Sequence, residues 1–201
     1  MQITTIYIIT TKLLVTLTNL NTEELITLCK SKNQSAQLEI YNRYYKAMYN
    51  TSIRIVKDSF EAEDIMQDAF LQAFTKLKTL KDDSTFGAWL KRIVVNKSIH
   101  HYRQLIKKNE TSIDDVLYKI EESTYESEQD HNYNNLKANQ VLDTMKTLKD
   151  NYRIVLTLNL IEGYDYEEIG EILNISYQNT RTMVSRAKMS LRQKLNQVAR
   201  I

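Results

Sequence analysis

The stretch Asn174–Ile201 carries Arg181, Arg186, Lys188, Arg192, Lys194 and Arg200 and no acidic residue. Read as a helix beginning after Ser176, it turns Tyr177, Gln178, Arg181, Thr182, Ser185 and Arg186 outward. Amide and guanidinium groups bond to base edges, and hydroxyls and cations hold phosphates, so the chemistry on offer is recognition of nucleic acid. A second stretch without acids, Lys91–Asn109, carries Lys91, Arg92, Lys97, Arg103, Lys107 and Lys108. The two together hold 12 of the 27 basic residues, leaving 15 against 25 acids elsewhere in a chain of formal net charge +2. Charge concentrated in this way points to two separate contacts with a polyanion. Two solvated helix faces are the plainer alternative, but runs this free of acid are less common on such faces.

Catalytic chemistry finds less support. Glu61, Asp64 and Asp68 stand at i, i+3 and i+7 and would face one way as metal ligands, but no histidine or distant carboxylate motif completes a site. His100 and His101 sit in the basic stretch and His131 in an acidic one. There is no phosphate-cradling glycine loop and no nucleophile constellation. The expectation is therefore no metal, no cofactor and no enzymatic activity. Cys29 is the only cysteine; it has no partner for an internal disulfide, which fits a reducing cytoplasm. Residues 1–20 are rich in Thr, Ile and Leu but lack a basic start and a small-x-small cleavage site, and Lys12 interrupts the apolar run. They are too short and too polar to span a bilayer and are expected to be a poorly structured leader.

Elements that could position these groups follow from the periodicity. With no proline and three glycines, the chain favours helices joined by polar turns over strands. Three zones appear: a helical domain over residues 21–108, a linker over 109–132 and a second helical domain over 133–201. In the first, Asn21 or Thr22, Asn33, Asp58 (with Glu61 three residues on) and Ser84 or Thr85 are helix-start signals. Ile65, Met66, Ala69, Phe70, Ala73, Phe74 and Leu77 make one wide apolar face, and Glu63, Asp64, Gln67 and Asp68 lie opposite. Phe86, Trp89, Leu90, Ile93 and Val94 give the next helix a buried stripe. The linker holds eight acids against the single base Lys119 and shows no sustained period, although Ile113, Val116, Leu117 and Ile120 could form one helical turn. The second domain reads as four helices, with Gly163 and Asn174 suited to left-handed turns and Asp165 and Ser176 to caps. Its last two helices, Tyr166–Leu173 and the one after Ser176, follow the helix-turn-helix plan. Gly170 stands at their closest approach, and Ile169, Leu173, Ile175 and Val184 form the wedge between them.

The segment Glu61–Phe70, followed by Phe86–Ile93, then Asn96 and Arg103, resembles the sigma-70 family of transcription initiation factors, in its compact extracytoplasmic-function (ECF) group. The resemblance covers about Leu38 to Leu195. It implies an all-α fold: two small domains, regions 2 and 4, joined by a flexible linker that is acidic here. Region 2 would dock on the clamp helices of the largest polymerase subunit through Asp64, Gln67 and Asp68. The helix from Phe86 would bind the −10 element, with Asn96 and the loop Leu80–Ser84 forming a pocket for a flipped base and Arg92, Lys97 and Arg103 holding phosphates. Trp89 and Tyr102 have core positions as their plainer reading. The last helix would read the −35 element in the major groove, with Lys188, Arg192 and Lys194 meeting backbone where it leaves. The acidic linker is compatible with a place in basic polymerase channels and equally with a solvated spacer. Two departures stand out: Lys149 where relatives often have Pro, and Asn179-Thr180 where they usually carry Thr-Val.

The implied partners are core RNA polymerase, promoter DNA and an anti-sigma factor, often membrane-bound. The chain is expected to be a monomer when free, in the cytoplasm. A helix-turn-helix regulator without initiation activity is the rival reading, but it leaves Glu61–Arg103 without a role.

Overall fold

The computed structural model describes residues 17–111 and 133–198, and every regular element among them is a helix. In the first half these are α1 (Thr22–Lys30), α2 (Gln34–Val56), α3 (Ser59–Lys76), two short 3₁₀ turns (Leu77–Thr79 and Asp83–Thr85) and α4 (Phe86–Thr111). In the second half they are α5 (Tyr133–Lys146), α6 (Asp150–Leu156) running into a π-type turn (Thr157–Ile161), α7 (Tyr166–Leu173) and α8 (Tyr177–Val198). The expected linker from residue 112 onward, with Ile113, Val116, Leu117 and Ile120, lies outside the described residues, as do residues 1–16. Of the expected leader, Leu17 is buried with the core and Leu20 packs against it. Arg43 Nη2 donates to the carbonyls of Leu17 and Thr18 at 3.3 and 3.0 Å.

Most of the helices start where side-chain oxygens meet the first free amides, whereas α6, after Lys149, starts without a side-chain cap. Asn21 with Glu24 and Asp165 with Glu168 make complete capping boxes. Asn33 accepts from the Ala36 amide and Asp58 from that of Glu61. Each such cap contributes about 1 kcal/mol. At the start of α4 the structure differs from the sequence reading. Asp82, not Ser84 or Thr85, is the capping side chain, because a 3₁₀ turn precedes the helix. Helix ends use left-handed residues: Asn174 (φ 51°), Gly163 (φ 80°) and, without any glycine, Lys32 and Lys57 (φ 64° each).

The chain divides into two compact units between Ser98 and Ile99, inside α4. The first is built on Leu25, Ile26, Ile40, Met66, Phe70, Ala73, Leu77, Phe86, Leu90 and Val94, with Trp89 and Ile93 packed at its edge. Its aromatic rings interlock, Tyr44 meeting Phe86 edge-on with centroids 5.4 Å apart. In the second, Met145, Leu148, Ile154, Val155, Leu158, Ile169, Val184, Ala187 and Leu191 are buried. The end of α4 joins this second unit through polar groups. Tyr102 is bonded to Asp150, and its phenol is pushed up first by burial and then by that carboxylate. Arg153, buried beside it, bonds Asp150 at 3.1 Å, and burial lowers its pKa against the pull of that charge. Among the described residues no helix is long and apolar enough to cross a membrane.

Cys29 lies in the first core, and burial pushes its thiol up to about 11. An acid whose folded pKa exceeds its unfolded value, about 8.5 for a thiol, adds its stability in full below that value and loses it as pH rises toward the folded one. Cys29→Ala should therefore flatten the alkaline fall in stability, by about 1–3 kcal/mol near pH 10. Urea midpoints of both proteins at neutral and alkaline pH measure this. Parallel alkaline losses would show that the thiol contributes nothing to them.

Candidate nucleic-acid interface

The helix-turn-helix depends on a close approach. A Cβ on Gly170 would lie 3.0 Å from the Ile175 carbonyl oxygen and 3.3 Å from Thr180 Oγ1. The turn is closed by the Ile175 amide donating to the Gly170 carbonyl at 2.9 Å, with Asn174 left-handed between them. Thr180, the departure from the family pattern, is fully buried at the wedge. Its hydroxyl donates to the Ser176 carbonyl at 3.2 Å, so the polar group enters the core already bonded. Ser176 Oγ caps the helix by accepting from the Asn179 amide at 3.3 Å.

With α8 oriented by that wedge, Tyr177, Gln178, Arg181, Thr182, Ser185 and Arg186 are all exposed, as the sequence indicates. Gln178, Arg181, Thr182 and Ser185 share one face at helical spacing, and Arg186 flanks it. Thr182 Oγ1 donates to the Gln178 carbonyl at 2.9 Å, which fixes its rotamer. Tyr177 is half exposed, with its ring 6.3 Å from that of Tyr166 at the start of α7. The sequence reading singles out Tyr177 but passes over Tyr166; only the turn brings the two helix starts together. Farther along, Met189 and Arg192 stay exposed on the same side. Lys194 turns the other way, donating to the Thr147 carbonyl and Oγ1 at 2.7 and 2.9 Å, and so ties α8 to the end of α5.

On α4, Arg92 and Asn96 lie one turn apart on one face, Asn96 exposed and Arg92 half-buried. Lys97 is turned about 100° away from Asn96 and bonds Asp68 on α3 at 3.3 Å. Arg103 belongs to the second unit, where its Nη2 donates to the Ile172 carbonyl at 3.2 Å. Trp89 lies at the core edge with Phe86, centroids 6.1 Å apart. The loop before α4 is closely bonded: Asp82 Oδ1 accepts from the Ser84 amide and hydroxyl at 3.0 and 2.7 Å. Those bonds hold the Asp82 carboxyl below its usual range.

On α3, Asp64, Gln67 and Asp68 are exposed together on the face away from the core. Gln67 Nε2 donates to Glu63 Oε1 at 3.2 Å. Phe60 and Leu71, 81% and 67% exposed, extend the same face at both ends. The spacing i, i+4, i+7, i+11 through Phe60, Asp64, Gln67 and Leu71 is the signal that reveals them. Among the described residues no three His, Cys, Asp or Glu side chains gather as a metal site requires.

Gly170→Ala tests the close approach. Alanine favours a helix over glycine by about 1 kcal/mol, but its methyl meets a backbone carbonyl that cannot swing aside. Thermal melts should show the second unit destabilised by about 1–2 kcal/mol net. A melt equal to or above that of the parent would mean the turn has room to spare.

Known proteins match this arrangement along most of its length. Residues 40–107 match the family model for Sigma-70 region 2, and residues 138–191 that for Sigma-70, region 4. The ECF RNA polymerase sigma factor SigW of Bacillus subtilis (strain 168) is 30% identical over 174 residues, covering 83% of this chain and 92% of that protein. The ECF RNA polymerase sigma-E factor of Escherichia coli (strain K12) is 27% identical over 71% of this chain and 78% of its own. Two solved structures share the fold at a TM-score of 0.52 each. One is CnrH in complex with the cytosolic domain of CnrY, at 23% identity, covering 87% of this chain and 97% of that one. The other is the sigma factor RpoE of Bartonella quintana in complex with the anti-sigma factor NepR, at 21% identity, covering 79% and 95%. The chain belongs to the ECF group of the sigma-70 family, and it is a sigma factor that directs promoter-specific initiation of transcription by RNA polymerase.

Proposed function

We propose a division of labour within that activity. Residues 21–108 dock on core polymerase through Asp64, Gln67 and Asp68 and hold the −10 element through Arg92 and Asn96, and through Lys97 and Arg103 once these exchange Asp68 and the Ile172 carbonyl for phosphates. Residues 133–201 read the −35 element through Tyr177, Gln178, Arg181, Thr182, Ser185 and Arg186. Residues 109–132 span the interval between these contacts. The observation that carries this reading is the exposed face of α8, basic, free of acid and set outward by the turn at Gly170. Arg181 lies in the second turn after the Ser176 cap, where a helix entering the major groove reaches base edges.

The protein works in the cytoplasm, catalyses no reaction of its own and needs no cofactor. It is a monomer until it meets polymerase or an anti-sigma factor. Two proteins of the same fold, CnrH and the Bartonella RpoE, were solved with such cytosolic or anti-sigma partners, which supports one here. Initiation separates this reading from a helix-turn-helix regulator: the purified chain plus core polymerase should give run-off transcripts from a genomic fragment library, and a simple regulator would give none.

Three substitutions divide the contacts. Asp64→Arg should weaken binding to core about tenfold or more by setting like charge against a basic surface, with helical content unchanged. Unaltered pull-down by core would remove the docking role. Arg181→Ala in holoenzyme should relax preference at one −35 position, a loss of about 1–3 kcal/mol in discrimination. If it instead scaled every promoter's affinity equally, Gln178 or Arg186 would become the reading residue. Arg192→Ala should weaken all sequences alike and lower the salt slope by roughly 1 or less. Lys194 is unsuited to that test, because its ammonium holds the end of α5.

A further inference from the structure

We infer that Lys30, on the first helix, is a positioning residue for the loop Leu80–Ser84 and thereby for base discrimination at the −10 element. The inference rests on the reading of that loop, with Asn96, as the −10 pocket. Lys30 itself precedes the span 40–107 that matches region 2.

The loop is closed on itself at its tip and packs against α1. At its tip, Asp82 accepts from both the amide and the hydroxyl of Ser84. The Asp82 carbonyl accepts from the amide and hydroxyl of Thr85 at 3.1 and 2.7 Å. These bonds close the tip on itself and leave Lys81, Asp82, Ser84 and Thr85 exposed. They say nothing about how the tip is tilted on the domain. Leu80 and Phe86, buried in the core, hold the two ends of the loop; between them the polar tie to the domain is Asp83, whose Oδ1 accepts from Lys30 Nζ at 2.5 Å across 53 residues of sequence. Both partners of that ion pair are mostly covered, with 30% and 21% of their side chains exposed.

Lys30 reaches Asp83 from a firm base. Leu25, Ile26 and Cys29 of α1 are buried in the same core as Leu77, Leu80 and Phe86, and the capping box of Asn21 and Glu24 fixes the start of the helix. The lysine stands in the last turn, where the helix carbonyls favour a cation. A pocket that selects a base needs its walls held to a fraction of an ångström. A pair anchored at one end on a rigid helix and at the other in the middle of the loop supplies that constraint.

The test is Lys30→Met, which keeps the aliphatic stem and removes the ammonium, assayed as full chain in holoenzyme reconstituted with core polymerase. Affinities are measured for a panel of single-base −10 variants and, separately, −35 variants, with core binding and melting temperature alongside. The expected result is a three- to tenfold loss of preference at one −10 position, on the order of losing a base contact or less, with −35 preference and core binding unchanged. Lys30→Arg should restore the preference, and the exchange Lys30→Glu with Asp83→Lys should restore part of it. Full −10 preference in Lys30→Met would overturn the inference, as would a loss that neither cation restores, since that would make the role one of packing. Asn96→Ala in the same panel separates the two layers. If it relaxes a −10 position and Lys30→Met does not, the positioning role alone fails; if neither does, the pocket reading fails with it.

Discussion

Over most of this protein helix register depends on side-chain oxygens that accept the first free amides. Asn21, Asn33, Asp58, Asp82, Asp165 and Ser176 each do so at or just before a helix start. In a chain with no proline nothing else marks these starts so firmly. The start of a helix sets the angle of every residue after it. Ser176 thereby decides that Gln178, Arg181, Thr182 and Ser185 face out while Thr180, Val184 and Ala187 face in. Asp58 does the same for α3, putting Phe70 in the core and Asp64 and Gln67 in water.

Because caps and apolar periods are local, much of the fold is legible in the amino-acid sequence. Asp165, Gly163, Asn174 and Ser176 bracket α7 and α8 with little ambiguity, and both acid-free runs stand out by composition. What escapes a sequence reading is tertiary. A lysine or arginine looks the same whether it meets a phosphate, a carbonyl or a carboxylate. Lys194 and Arg103 meet carbonyls, and Lys97 meets Asp68. Thr180 looks like a packing defect until its hydroxyl is seen bonded to Ser176. Lys32 and Lys57 give no sign of their left-handed backbone, a conformation that ordinarily goes to glycine or asparagine.

The ion pair between Asp68 and Lys97 joins two surfaces with separate proposed partners, one for polymerase and one for DNA. The pair is partly solvent-exposed, so its own contribution is at most about 1 kcal/mol. That makes it easy to exchange for a partner's charges.

The π-type turn at Thr157–Ile161 bears on how this region tolerates insertion and deletion. There the Glu162 amide reaches back five residues to the Thr157 carbonyl at 3.0 Å. Such a turn holds one residue more than an α-helical turn. Losing one residue within it would leave an ordinary helix and keep Gly163 and the helices beyond close to their present bearing. Losing one residue within α8 would rotate everything downstream by about 100° and carry the basic face out of line. Length variation among descendants of this chain should therefore collect at the π turn and avoid the helix that follows.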